Sequence, residues 1–231
     1  YIEQYGISPI KLKHSSRESR FLRLNSKPPH SIKGGPKVSI LMPAFNSEKT
    51  IDMSMKSLLA QSWTNIEIVV VDDNSTDRTF EKLNHLARED DRIKVLKNID
   101  NIGPYCSKNV ALSVATGEYI TGHDADDWAH PQRIELQVAF MASNPCAKVS
   151  IASMLRVDED CRFTKFSSRN AHTFDGALRT AMISSFFKRD VFESYLGCWD
   201  SVRFAGDSEM IGRAKIIFGD DVKYFRMLTM I

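Results

Sequence analysis

Ile66-Glu67-Ile68-Val69-Val70-Val71-Asp72-Asp73-Asn74-Ser75-Thr76-Asp77 runs from a β-branched stretch straight into acids, amides and hydroxyls. Valine and isoleucine lose χ1 freedom in a helix but pack well on a pleated surface, so Ile66 to Val71 reads as a strand. A nearly unbroken apolar run belongs to a strand covered on both faces, the habit of parallel sheets. The polar residues after it would cap a helix that carries Phe80, Leu83, Leu86 and Ala87 on one face.

The same grammar repeats in both directions. Upstream, Val38-Ser39-Ile40-Leu41-Met42 is a second buried strand, closed by Pro43, which has no donor for a ladder. Ser47 is the expected N-cap of a helix bearing Ile51, Met55, Leu58 and Leu59. Downstream, Ile93 to Leu96 forms a short strand, Tyr105 to Ala115 a helix stopped at Gly117, and Glu118 to Thr121 another strand. A helix opens at Pro131 and carries Ile134, Val138 and Met141. Strict alternation of strand and helix predicts an α/β fold, a mostly parallel sheet with helices on both faces. After Lys148 the rhythm loosens. Lys148–Ala152 and Met154–Val157 read as strands, Arg162–Phe166 as a partner for one of them, and Lys188–Leu196 and Asp207–Ile217 as helices ended by Gly197 and Gly219.

Composition bounds the function. With 231 residues the chain can bury a full core as one domain. Its formal charge of +2 argues against a nucleic-acid partner, and that charge is unevenly placed. Residues 1–36 hold seven Lys or Arg against Glu3 and Glu18, a balance of +5 that leaves −3 for the remainder. This segment reads as a basic linker or extension suited to peripheral contact with a membrane surface, with ordered structure expected from Lys37. Cys106, Cys146, Cys161 and Cys198 have no metal-finger or redox spacing and read as free thiols. No apolar run approaches the roughly 20 residues of a membrane span, and no signal peptide is visible. The absence of an initial Met and the apolar end at Ile231 point to a piece of a longer protein with a further domain beyond the termini.

The chemistry concentrates at Asp124-Ala125-Asp126-Asp127, directly after the strand ending at Thr121. Carboxylates this close repel one another, and a hard divalent cation such as magnesium or manganese would relieve them. A solvated turn capping the next helix is the plainer reading. The acidic turn at Asp72-Asp73 shifts the balance, because ligand crevices of open α/β sheets lie at the carboxyl ends of strands. His123 reads as a packed histidine before a metal ligand. A calcium loop fails, since Ala129 stands where glycine is required and Pro131 interrupts. A dinucleotide fold and a phosphate loop both lack their glycines after the first strand.

Residues 38–130 resemble the nucleotide-sugar half of an inverting glycosyltransferase of family two, with the GT-A fold and of the bacterial polysaccharide-synthesis type. Val38–Asn46 is similar to the family's opening strand and turn, and Gln61-Ser62-Trp63 with Glu67–Asp77 to its second block. Asn101-Ile102-Gly103-Pro104 with Lys108-Asn109 is similar to the third, and Gly117–Ile120 with Asp124–Asp127 to the fourth. The resemblance implies residues 37–130 as the nucleotide-sugar half of a 37–231 domain and residues 131–231 as the acceptor side. It implies that Pro43, Ala44 and Asn46 line the base, that Asp73 accepts from the uracil N3–H, and that Asp124 meets ribose or metal. Asp126 would hold the Mn2+ or Mg2+ that bridges a donor diphosphate. Lys108 stands where the family often has arginine, supplying charge without the bidentate fork.

The family's general base lies in a Glu-Asp motif at a late helix start. Here the matching segment is Gly206-Asp207-Ser208-Glu209, so Asp207 is the expected base and Glu209 the reserve, with helix capping as the alternative role of Asp207. Trp128, Asp200 and Arg203 are candidate acceptor contacts. The implied reaction moves a sugar from a UDP-sugar to a glycan or glycolipid hydroxyl, in the cytoplasm or at the inner face of the membrane. The rival readings are a catalytically silent nucleotide-sugar-binding module of a larger polymerase and a nucleotidyltransferase.

Overall fold

The computed structural model describes residues 7–14, 18–164 and 178–231. Chain order is β1 (Lys11–Leu12), β2 (Leu24–Asn25), β3 (Val38–Ala44), α1 (Ile51–Leu59), β4 (Ile66–Asp72), α2 (Thr79–Glu89), β5 (Ile93–Lys97), α3 (Pro104–Val114) and β6 (Tyr119–Gly122). Then follow α4 (Arg133–Ser143), β7 (Val149–Met154), β8 (Arg179–Thr180), β9 (Phe186–Lys188), α5 (Arg189–Val191), α6 (Gly206–Phe218) and β10 (Val222–Met230). A π-helical turn, Phe192–Leu196, continues α5.

The main sheet runs β10-β7-β9-β6-β3-β4-β5, with β8 paired to β7. β4 lies parallel to both β3 and β5, and β3 parallel to β6. Side-chain alternation explains the two-faced core. Ile40, Met42, Ile68 and Val70 pack against Ile51, Met55 and Leu58 of α1 and Ile134, Val138 and Met141 of α4. Leu41, Val69 and Val71 face the other way, toward Ala111 of α3 and Met210, Ile211 and Ala214 of α6. This is the doubly covered, mostly parallel sheet that the alternating pattern predicts and the GT-A type that the resemblance implies, with its polar strand ends gathered at one edge.

Several local expectations are corrected. Ser47 caps no helix: it opens a turn in which Thr50 and Ile51 both donate to its carbonyl, and α1 starts at Ile51. Pro131 precedes α4 by two residues, because Arg133 N first closes a turn onto His130 O at 2.9 Å. Phe186–Lys188 is a strand antiparallel to both β6 and β7, so Lys188 ends a ladder before the short helix begins. The apolar carboxyl end is strand β10, parallel to β7. Met154–Val157 is no separate strand, since β7 runs unbroken to Met154. Val157 and Phe163 form an isolated antiparallel bridge, and residues 165 and 166 of the expected Arg162–Phe166 strand lie outside the described residues.

Order does not begin at Lys37. β1 and β2 form an antiparallel pair, Ile7 is buried, and Leu24 packs with Met53 and Trp128. Ser8 is tied in from both sides: its amide donates to Gln132 Oε1 at 2.8 Å, and its carbonyl pairs with His130 Nε2 at 2.9 Å. Composition concealed this because the residues that bind are few and separated by charge.

Candidate active site

The acidic turn leaves β6 beside the start of α6. Asp124, Asp126 and Asp127 line a cleft of about 760 Å³ together with Tyr105 of α3 and Asp207 and Ser208 of α6. The turn is braced from behind. Ser54 of α1 donates to Asp124 O at 3.0 Å. Arg133 of α4 is fully buried; its Nη2 donates to Thr121 Oγ1 and Gly122 O, both at 2.7 Å, and its Nη1 to His123 Nδ1 at 3.1 Å. Burial, and then the Arg133 charge, hold the His123 imidazole well below its ordinary range, so it is neutral at pH 7. His123 therefore supports the turn from within the protein.

Electrostatics at the turn suit a cation. Burial pushes the Asp124 carboxyl up to about 6; Lys108 pulls it down, while Asp207 and Asp126 add to the rise. Asp127 is raised well above the carboxylate range by burial and by Asp124 and Asp126. Asp126 is exposed on the cleft. Among the described residues, no three His, Cys, Asp or Glu side chains converge as a ready-made metal cage. What the cleft presents is the close carboxylates of Asp124, Asp126 and Asp127, with Arg156 and Arg179 also in its lining. That donor set fits magnesium or manganese when phosphate oxygens and water complete the shell.

The opposite wall is built from α3, α6 and the loop before α6. Ala205 sits at φ 63°, in the left-handed region, and the next residue opens the helix. Gly206 lies flat on the Tyr105 ring: a Cβ there would come within 2.7–2.8 Å of three ring carbons. Asp207 emerges from this turn. Its two oxygens accept from Lys108 Nζ at 2.8 and 2.9 Å, and Oδ1 also accepts from Trp199 Nε1 at 3.1 Å. The Tyr105 phenol is pushed up, first by burial and then by the Asp207 carboxylate.

The remaining expected residues fall into three groups. Pro43, Ala44, Asn46 and Asp73 lie at the ends of β3 and β4. Asp73 N donates to Ala44 O at 2.8 Å, and Asn46 Oδ1 accepts from Thr76 N at 2.8 Å, so the two turns are stitched together. The Asp73 carboxylate is buried and accepts from Asn98 Nδ2, Ile102 N and Gly103 N at 2.8–2.9 Å. It therefore shapes the loop that leads into α3, where Gly103 takes φ 93°. Lys108 is only 1% exposed and is turned to Asp207 rather than to the open cleft.

Trp128 is buried among Leu24 and Met53 and lines a separate cavity of about 610 Å³ between the amino-terminal segment and α1. It is not brought to the cleft, because its backbone pairs with Ile231 in both directions and turns the ring away. Asp200 is exposed and outside the cleft lining. Arg203, also outside it, donates to Asn101 Oδ1 at 3.0 Å and so ties the two mouth loops together. Glu209 is ion-paired one turn on with Arg213, whose Nη2 lies 2.9 Å from it, and it too stays off the cleft.

Sequence reading missed Tyr105, Trp199 and Arg133. Tyr105 carried a usable signal, standing three residues before Lys108 and thus on the same face of a helix. Trp199 and Arg133 carried none, because each meets its partner across a loop, 8 residues away for Trp199 and Asp207 and 10 to 12 for Arg133, at spacings that follow no helix or strand period.

A doubly covered, mostly parallel sheet with an acidic turn at its carboxyl edge, faced by a carboxylate from a late helix, is an architecture of the GT-A type. The sequence profile of Glycosyl transferase family 2 matches residues 39–197, and the chain belongs to that family. Bacillus subtilis EpsE, named as a glycosyltransferase, is 41% identical over 129 residues, 55% of this chain and 46% of that protein. Escherichia coli WfgD, named as a UDP-Glc:α-D-GlcNAc-diphosphoundecaprenol β-1,3-glucosyltransferase, is 40% identical over 107 residues, 46% of this chain and 42% of its own. The chain thus matches under half the length of these curated relatives. The crystal structure of S. aureus TarS superposes with a TM-score of 0.70 at 21% identity, covering 84% of this chain and 36% of that one. No helix among the described residues is long and apolar enough to cross a membrane.

Proposed function

We propose that the domain transfers a sugar from a UDP-sugar to a hydroxyl of a glycan carried on a lipid diphosphate, with inversion at the anomeric carbon. One observation carries the reading: Asp124 and Asp126 line the same cleft as Asp207, which comes from a different element. Inversion requires attack in line with departure, so a base must face the leaving group across the sugar. The acceptor hydroxyl bonds to the anomeric carbon, its proton passes to Asp207, and the bond to the UDP β-phosphate oxygen breaks. Asp126, with Asp124, would hold a divalent cation that neutralises charge on the departing diphosphate. The base pocket would lie at Pro43, Ala44, Asn46 and Asp73. The acceptor class is taken from the name of WfgD, and an acceptor on a lipid diphosphate supports action beside a membrane. Glu209, committed to Arg213, is the weaker candidate for the base.

The test uses the full-length protein. Asp207→Asn keeps the size of the side chain, which caps no helix end here, but cannot take a proton. Turnover should fall roughly 100- to 10,000-fold with UDP affinity near the parent's, while the melting temperature drops because buried Lys108 loses its charged partner. Asp126→Ala should remove the gain in UDP affinity that manganese brings. Near-normal transfer by Asp207→Asn would overturn the base assignment and move the role to Glu209 or elsewhere, whereas a parent protein that binds UDP but neither transfers nor hydrolyses a UDP-sugar would favour the silent-module reading. Equal UDP affinity with and without manganese would overturn the metal.

A further inference from the structure

Lys108 is one of the largest fully buried side chains in the protein and it carries a charge. An ammonium removed from water is costly unless it is paired and hydrogen-bonded. Asp207 is its ion-pair partner, with contacts of 2.8 and 2.9 Å to the two carboxylate oxygens. The rings of Tyr105 and Trp199 box the ammonium in, with centroids at 5.1 and 5.7 Å. To reach a phosphate in the cleft, Lys108 would have to abandon this pairing and leave Asp207 uncompensated.

The neighbouring residue completes the arrangement. Asn109 Nδ2 donates to Trp199 O at 2.8 Å, and Trp199 N donates to Asn109 Oδ1 at 2.9 Å. This reciprocal pair fixes the Trp199 backbone to α3, and from there Trp199 Nε1 reaches Asp207 Oδ1. The carboxylate of an aspartate otherwise rotates in a broad, shallow well about χ2. Here two directions of restraint, Lys108 and Trp199, hold it.

We propose that Lys108 and Trp199 are positioning residues for Asp207, and that they leave Oδ2 as the oxygen that takes the acceptor proton. The inference rests on Asp207 being the base. Oδ1 already accepts from two donors, Lys108 and Trp199, which fills its lone pairs. Oδ2 accepts from Lys108 alone and keeps a lone pair free. The Asp207 side chain is 16% exposed and lines the cleft, so that lone pair is within reach of a bound hydroxyl. The charge at Lys108 thus acts on transfer through orientation of the base, and donor binding does not depend on it.

The experiment is a double-mutant cycle on the full-length enzyme, with kcat, UDP affinity and melting temperature measured for each protein. Lys108→Met should lower kcat about 10- to 100-fold while the UDP dissociation constant stays within about twofold. In the Asp207→Asn background, the same substitution should lower kcat by less than about twofold, because the group it positions no longer works. If Lys108→Met does not fold, Trp199→Phe tests the same point by removing the Nε1–H donor, with melting temperature reading the separate cost of the smaller ring against Phe187 and Phe192. It should give a smaller kcat loss that also vanishes in the Asp207→Asn background. A tenfold or greater weakening of UDP binding, or a kcat loss of equal size in both backgrounds, would overturn the inference. Unchanged turnover in Asp207→Asn alone would instead overturn the base assignment beneath it.

Discussion

Gly206→Ala tests whether the approach of α6 to α3 sets the position of Asp207. The Cβ would sit 2.7–2.8 Å from Cγ, Cδ1 and Cδ2 of Tyr105, closer than carbon atoms tolerate. Tyr105 cannot yield freely, since its ring carries Lys108 at 5.1 Å and Lys108 holds Asp207. Overpacking of this kind costs about 1–3 kcal/mol. Gly206 does not sit in the left-handed region, so alanine also stiffens the unfolded chain and returns about 0.4–1 kcal/mol. The expected net is a loss of about 1–2 kcal/mol, which lowers the melting temperature of a domain this size by roughly 2–8 °C. Calorimetry or urea unfolding reads the stability, and a transfer assay should show kcat falling about tenfold with UDP affinity retained. In a Tyr105→Val background the ring is gone and Gly206→Ala should cost little, giving a coupling term of at least about 0.5 kcal/mol. A Gly206→Ala protein as stable as the parent would refute the close-approach argument, and additivity with Tyr105→Val would refute its stated cause.

Two further outcomes follow from buried carboxylates. Asp73→Ala removes the acceptor shared by Asn98, Ile102 and Gly103. It should cost about 2–4 kcal/mol in urea unfolding and speed amide exchange at Ile102 and Gly103; unchanged exchange there would show that the loop holds itself. The protein should also stop preferring UDP over CDP, and a retained preference would move base recognition off Asp73. Glu67 is pushed up by burial, but hydrogen bonds from Lys94, Ser39 and Thr116 outweigh this and hold it well below the usual carboxylate range. Because the folded state lowers this pKa, its stabilisation is complete above about pH 4.5 and fades as pH falls further. Glu67→Gln should therefore cost about 2–4 kcal/mol at pH 7 and less at pH 3; a difference that stays flat with pH would exclude a charge effect.

The sequence by itself determined the sheet and its edge of polar turns. β3 and β4 are apolar runs whose alternate residues enter different cores, and α1 and α3 carry their apolar residues at helical spacing. Such periodicities are local, so they survive without knowledge of partners. The acidic turn was legible for the same reason, since three carboxylates in four residues have no easy account as packing. Only the tertiary structure decided which partners those residues meet. Lys108 and Asp207 are 99 residues apart, and nothing near either one foretells their pairing or the burial that makes it obligatory. Trp128 looked like a wall of the cleft from its place beside Asp127, yet its pairing with Ile231 turns it onto the amino-terminal segment. β9 and β10 were missed because a three-residue strand, and a strand mixing apolar with charged residues, are stabilised by the ladder beside them rather than by any pattern of their own. Local chemistry nominates the residues of a site, and long-range packing assigns each its partner.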